Sequence, residues 1–193
     1  MRFALHDVLN TWIFKRDGRK YRADIVRDDT SREPWSDECG HGPVSEWSTR
    51  DKRPGERVLS RDRNSFRYYD FAEAVAIARH DGWDTAPYGQ GTPGQRAERA
   101  AEADFQRLRA WCNDEWCYVG VAVTLLTRAG RDSDQWESFW GIESDDPDYH
   151  REVAEELADQ LAHGVAERRK RSVTIAPVRL RRLARGARIA QAV

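Results

Sequence analysis

Hydrophobic positions along the chain fall into alternating runs and helical stretches, with polar turns between them. Leu9 to Phe14 is apolar and aromatic, Asp17-Gly18 interrupts, and Tyr21 to Val26 is apolar again. Two such runs around Asp-Gly predict a β-hairpin. Arg57–Arg61 and Ser65–Tyr69, around Arg63-Asn64, predict a second and shorter one. Asp70 is an N-cap for a helix over Phe71–His80, with Ala72, Ala74, Val75 and Ala78 inward and Gly82 as its terminator. From Gln95 to Cys112, Ala97, Ala101, Phe105, Leu108 and Trp111 recur at spacings of three and four, the signature of a helix. Trp116 to Leu126 is a long apolar strand, Ala129-Gly130 turns, and Trp136 to Ile142 returns with Phe139 and Trp140, predicting the central hairpin of the sheet.

A last helix begins at Asp146-Pro147, an N-cap followed by proline at the first helical position. Tyr149, Val153, Leu157, Leu161 and Val165 form its predicted buried stripe, while Glu152, Glu155, Glu156 and Asp159 face water. Residues 28–55 carry Pro34, Pro43, Pro54, Gly40, Gly42 and Gly55 with little periodicity and read as a long irregular loop pinned by Trp35 and Trp47. Thr85 to Gly94 reads as a Gly/Pro-rich connector. The expected architecture is α+β, an antiparallel β-sheet with about three helices packed on one face. Residues 1–170 form a single domain in this reading, and 171–193 an Arg-rich tail that is strand, helix or disordered arm.

Composition narrows the class. The 193 residues suit one domain or one domain with appendages. Mean hydropathy is −0.84, yet eight Trp, six Tyr and six Phe are too many aromatics for a disordered chain. Most of those tryptophans are expected in the core. No apolar run approaches the ~18 residues of a membrane-spanning helix. Met1 to Asp7 has no apolar segment before its first acid, so no signal peptide and no membrane association are expected. Three cysteines are an odd, sparse count that fits a reducing, cytoplasmic compartment. Only four of the 32 basic residues are lysine, a skew that fits GC-rich coding.

The net charge of −1 conceals segregation. Residues 1–97 carry +1, residues 98–167 carry −11, and residues 168–193 carry +9 with no acid among them. The basic tail is an arm for an anionic partner or a counter-charge to the acidic block. Opposite charges feel each other strongly only within about 8 Å at physiological salt.

Chemistry-bearing motifs are sparse. Cys39, His41, Cys112 and Cys117 match the inventory of a tetrahedral zinc site but not its spacing. Cys39 and His41 are two residues apart, yet Glu38 beside the thiol disfavours a thiolate, and Gly40-His41-Gly42 before Pro43 reads as a rigid turn. Glu143, Asp145, Asp146 and Asp148 gather where a helix begins, which is where carboxylates cap; the alternative for this cluster is a hard cation or acid–base pair, the least supported of the readings. Gly89-x-Gly91-x-x-Gly94 lies between helices, so it is not a dinucleotide fingerprint. No cofactor and no metal site is expected, and no motif argues for an enzyme.

Pro34-Trp35, Gly40-His41-Gly42-Pro43-Val44-Ser45, Arg53-Pro54-Gly55-Glu56-Arg57, Tyr69-Asp70-Phe71 and Ala78-Arg79-His80-Asp81-Gly82-Trp83 form one set of distinctive stretches. Ala103-Asp104-Phe105, Leu108-Arg109-Ala110-Trp111-Cys112-Asn113-Asp114, Tyr118-Val119-Gly120-Val121, Trp140-Gly141-Ile142-Glu143-Ser144 and Asp148-Tyr149 form a second. Together, over roughly residues 20–160, they resemble a group of small bacteriophage and prophage proteins to which no activity is attached. Cys39 and Cys117 depart from the group's pattern, and the Arg-rich tail lies outside the resemblance.

The resemblance implies a phage-derived accessory protein in a bacterial host cell that works by binding a host protein. Inhibition of a defence system such as CRISPR or restriction machinery is one concrete form. The expected acidic binding patch is Glu143, Asp145, Asp146, Glu152, Glu155 and Glu156, steering the protein to a basic surface of a nucleic-acid-binding or nuclease complex. Trp35, Trp47 and Trp83 are the expected aromatic anchors, since all three fall in loop-like segments. The alternative is a nucleic-acid-binding factor using Arg168, Arg169, Lys170, Arg171, Arg181 and Arg182 of the tail.

Overall fold

The computed structural model describes residues 7–36, 40–63, 65–83 and 90–166. Strands β1 (Val8–Arg16) and β2 (Arg19–Arg27) pair in the predicted hairpin, with Phe14 opposite Tyr21 and Trp12 opposite Ala23. Asp17 and Gly18 both take positive φ, 48° and 71°, as a two-residue turn matched to strand twist requires. Farther along come β3 (Val44–Trp47), β4 (Glu56–Arg61) and β5 (Phe66–Asp70). Helices α1 (Phe71–Asp81) and α2 (Pro93–Cys112) follow. Strands β6 (Tyr118–Leu126) and β7 (Asp132–Glu143) and a helix α3 over residues 147–166 complete the described chain.

The α+β class, the antiparallel strands and the three helices hold. The single sheet does not. Strands divide between a four-stranded sheet, order β1-β2-β6-β7, and a three-stranded sheet, order β3-β5-β4. The chain groups accordingly into two compact units, one from Met1–Asp28 with Tyr118–Val193, the other from Asp29–Cys117. In sequence the second is inserted into the first, which makes them a split unit and an inserted unit.

In the split unit, Asp28 N–H donates to Tyr118 O at 2.9 Å, so the chain leaves β2 and re-enters β6 at neighbouring points. Interior strands β2 and β6 supply the core with Tyr21, Ala23, Ile25, Val119, Val121 and Val123. The expected central hairpin is therefore half right: β6 is interior, but β7 is an edge among the described residues. Helix α3 buries Val153, Leu157 and Leu161 as predicted, joined by Ala154 and Ala158. Each such aliphatic side chain larger than alanine contributes about 1.5–3 kcal/mol. Tyr149, expected in that stripe, is exposed, and His150 is the buried residue of the first turn. Its ring Nε2–H donates to Glu143 O at 2.8 Å, tying the helix start to the end of β7.

In the inserted unit, Leu59, Tyr69, Ala74, Ala101, Phe105 and Leu108 form a core against which Trp35, Val44, Phe71 and Trp83 pack. Asp70 caps α1 by accepting from Glu73 N–H, and Gly82 ends it at φ 64°. Ala74 and Ala78 are buried there, whereas Ala72 is exposed. Helix α2 starts two residues earlier than its hydrophobic periodicity indicates. Thr92 and Gln95 form a reciprocal capping box with Pro93 in the first turn, a signal hidden in an apparent Gly/Pro connector. The 28–55 loop also contains β3, four residues long and recognisable only by its pairing with β5.

Candidate functional site

Strand β7 pairs with β6 on one side and, among the described residues, is the last strand of its sheet. A bulge interrupts the pairing between Val121↔Phe139 and Val119↔Ile142, so Trp140 and Gly141 together oppose Gly120. Gly141 takes φ 80° to make the extra residue fit. Trp140 lies over Gly120 so closely that a Cβ at that position would collide with its ring. The bulge also defeats simple alternation. Trp136, Phe139 and Trp140 are 38%, 50% and 40% exposed, and Tyr149 at the head of α3 is 43% exposed.

Exposed carboxylates occupy the same segments. Asp132, Asp134 and Glu137 on β7 are exposed, as are Glu143, Asp145, Asp146, Glu152, Glu155 and Glu156 of the predicted patch. The structure sorts the patch by role. Asp146 caps α3, its Oδ1 accepting from Tyr149 N–H at 3.0 Å. Glu155 pairs with Arg16, which also bonds Asp159 through Nε at 2.5 Å and Nη2 at 2.8 Å. Glu152 and Glu156 lie one turn apart on the exposed side of the helix. An edge strand with exposed apolar side chains invites another chain, and flanking charge decides which one.

The three predicted anchors lie in the inserted unit and do not form one surface. Trp35 packs into the core, edge-on to Trp111 at 5.2 Å. Trp83 packs against two buried clusters. Trp47 on β3 is 41% exposed, with the Arg50 guanidinium 4.5 Å from its ring centre. Of the eight tryptophans only Trp116 is fully buried; Trp12, Trp35, Trp83 and Trp111 are half-buried, and Trp47, Trp136 and Trp140 are exposed. Five of the eight are thus buried or half-buried, although a large ring on a small α+β scaffold seldom finds room to bury completely.

A second constellation, in the inserted unit, has no counterpart among the sequence motifs. His41 Nδ1 meets Asp104 Oδ1 at 2.5 Å, Gly42 N–H donates to Asp104 Oδ2 at 2.8 Å, and Tyr69 OH donates to the same oxygen at 2.7 Å. Burial and the adjacent Asp104 charge push the Tyr69 phenol far above its ordinary range, so it stays a donor. Asp104 is 63 residues from His41 and sits on a helix whose spacing announces only a core stripe. No sequence signal links them. Cys39 and the tail residues Arg168, Arg169, Lys170, Arg171, Arg181 and Arg182 lie outside the described residues. Burial raises the Cys112 thiol, the opposite of what a reactive cysteine needs. Among the described residues no group of three or more His, Cys, Asp or Glu is placed to hold a metal ion.

Comparison with family models, with curated proteins and with solved structures finds no match to this chain. Among the described residues no helix is long and apolar enough to cross a membrane.

Proposed function

We propose that this protein acts by binding a protein partner with a basic surface, through the β7 edge and the head of α3. The observation that carries the reading is the set of exposed rings along one edge strand, Trp136, Phe139 and Trp140, followed by exposed Tyr149 at the start of α3, in segments that also carry exposed carboxylates. Aromatic side chains supply most of the energy of interface hot spots, while rim charges steer encounter and select the partner. The resemblance to phage and prophage proteins supplies a setting for this chemistry. A host protein that handles nucleic acid has the required basic surface, and blocking a defence nuclease of the CRISPR or restriction kind is the form that fits best.

The test is recovery of partners from a bacterial lysate by the tagged full chain, with and without nuclease. Phe139→Ser removes the most exposed of these rings, and Glu152→Lys with Glu156→Lys reverses charge without touching the core. A protein retained after nuclease by the wild type, lost with Phe139→Ser and weakened by the charge reversal, supports the reading. Equal recovery by all three chains, or recovery only with nucleic acid present, overturns it; the latter moves the weight to the Arg-rich tail.

A further inference from the structure

The Asp104 carboxylate holds more than a turn in place. Beside it lies a cavity of about 600 Å³, bordered by His41, Trp83, Ala100, Ala103, Asp104 and Arg107. That size falls within the roughly 300–1,000 Å³ of small-molecule sites, and the balance of an apolar wall with a few fixed polar groups is theirs too. Ala100 and Ala103, on α2, and the half-buried Trp83 form the wall.

His41 is the fixed polar group. Asp104 accepts from Gly42 N–H and from Tyr69 OH, so toward His41 it is again the acceptor, and Nδ1 carries the proton. With the proton on Nδ1, the neutral form of the ring presents Nε2 as a lone pair, and among the described residues Nε2 has no hydrogen-bond partner. Such an orientation is costly to build: Gly42 must be glycine, since a Cβ there would collide with the Tyr69 phenol that supports Asp104. Arg107, also at the cavity border, is held with its guanidinium 4.0 Å from the centre of the Trp116 ring.

We propose that this cavity binds a flat aromatic small molecule carrying a hydroxyl or amino donor, which stacks along the Trp83 wall and donates its hydrogen to His41 Nε2. A ring without a donor would leave Nε2 desolvated and unpaired, so the site discriminates by that single hydrogen bond. The ligand class differs from the protein partner proposed above, and the site lies in the inserted unit rather than on the β7 edge.

Phenol and anisole share a flat body and differ in the donor, so they are the probes. Titration of each into the full chain is followed by the NMR signals of the His41 ring and the Trp83 indole. Phenol is expected to shift both signals saturably and anisole to bind about tenfold more weakly. His41→Phe should erase the difference between the probes, and Ala103→Leu, which leaves the His41–Asp104 pair intact, should weaken both by filling the space. Equal affinity for the two probes in the wild type, or no saturable shift with either, overturns the proposal. Protein-partner recovery is measured on the same variants and should be unchanged, which separates failure here from failure of the β7 surface.

Discussion

The two units hold themselves together by different means. The split unit is built mainly on apolar strands: β6 is buried along almost its whole length. One buried carboxylate, Asp24, accepts from Thr11 and Arg22, and ion pairs such as Arg16 with Asp159 and Glu155 sit at the surface. The inserted unit works around enclosed polar clamps. Asp104 gathers His41, Gly42 and Tyr69, and the buried Glu56 carboxylate takes Arg50 through both oxygens at 2.8 and 2.9 Å and Arg53 N–H at 2.7 Å. An apolar core tolerates small misfits at a graded cost, whereas a buried polar hub fails at once when one member is removed. The inserted unit should therefore be the more sensitive to single substitutions and to acid.

The largest effect is expected from Asp104→Ala. It strands three donors, at about 1–3 kcal/mol for each one that is buried. Amide hydrogen exchange should show β5 and α2 losing protection while β2 and β6 keep theirs; a uniform loss across both units would break the contrast. Next is Gly120→Ala, which forces the Trp140 ring off β6 and should cost about 1–3 kcal/mol, read as lost protection in β6 and β7. Its signature is the mirror image of the first.

Acid gives a third, smaller discrimination. The Ser65 hydroxyl and Arg67 hold the Glu46 carboxyl below its usual 4.5, Arg50 and the Arg53 N–H do so for Glu56, and Gln106 and Arg57 do so for Glu102. All three belong to the inserted unit. A carboxyl lowered on folding stabilises the native state above its unfolded pKa, and that contribution disappears as pH falls through the lower native value. Between pH 7 and about pH 3 the inserted unit should lose exchange protection before the split unit, and Glu56→Gln should flatten that dependence. The smallest effect belongs to Phe139→Ser, half exposed on the β7 edge, which should change stability by no more than about 0.5 kcal/mol while removing partner binding.

How far the sequence can be read differs in the same way. Hairpin β1–β2, helix α1 with its Asp70 cap and Gly82 terminator, and the Asp146-Pro147 start of α3 depend on neighbouring residues and are legible in the local sequence. Strand β3 has no local signal of its own and exists because β5 pairs with it. The acidic patch is visible as composition, but its division into a cap at Asp146, an ion pair at Glu155 and exposed Glu152 and Glu156 is not. Alternation alone does not place Trp140 and Ile142, because it assumes an unbroken ladder and the bulge at Trp140-Gly141 breaks it.

What the sequence determined by itself was therefore whatever short-range physics decides: helix caps, the Asp17-Gly18 turn, apolar strands and an α+β class. Tertiary structure decided which strands share a sheet, which aromatic rings reach solvent, and that His41 meets a carboxylate from a helix far along the chain. Those outcomes depend on contacts between residues tens of positions apart, whose pairing is selected by the packing of the whole unit and leaves no periodicity at either end.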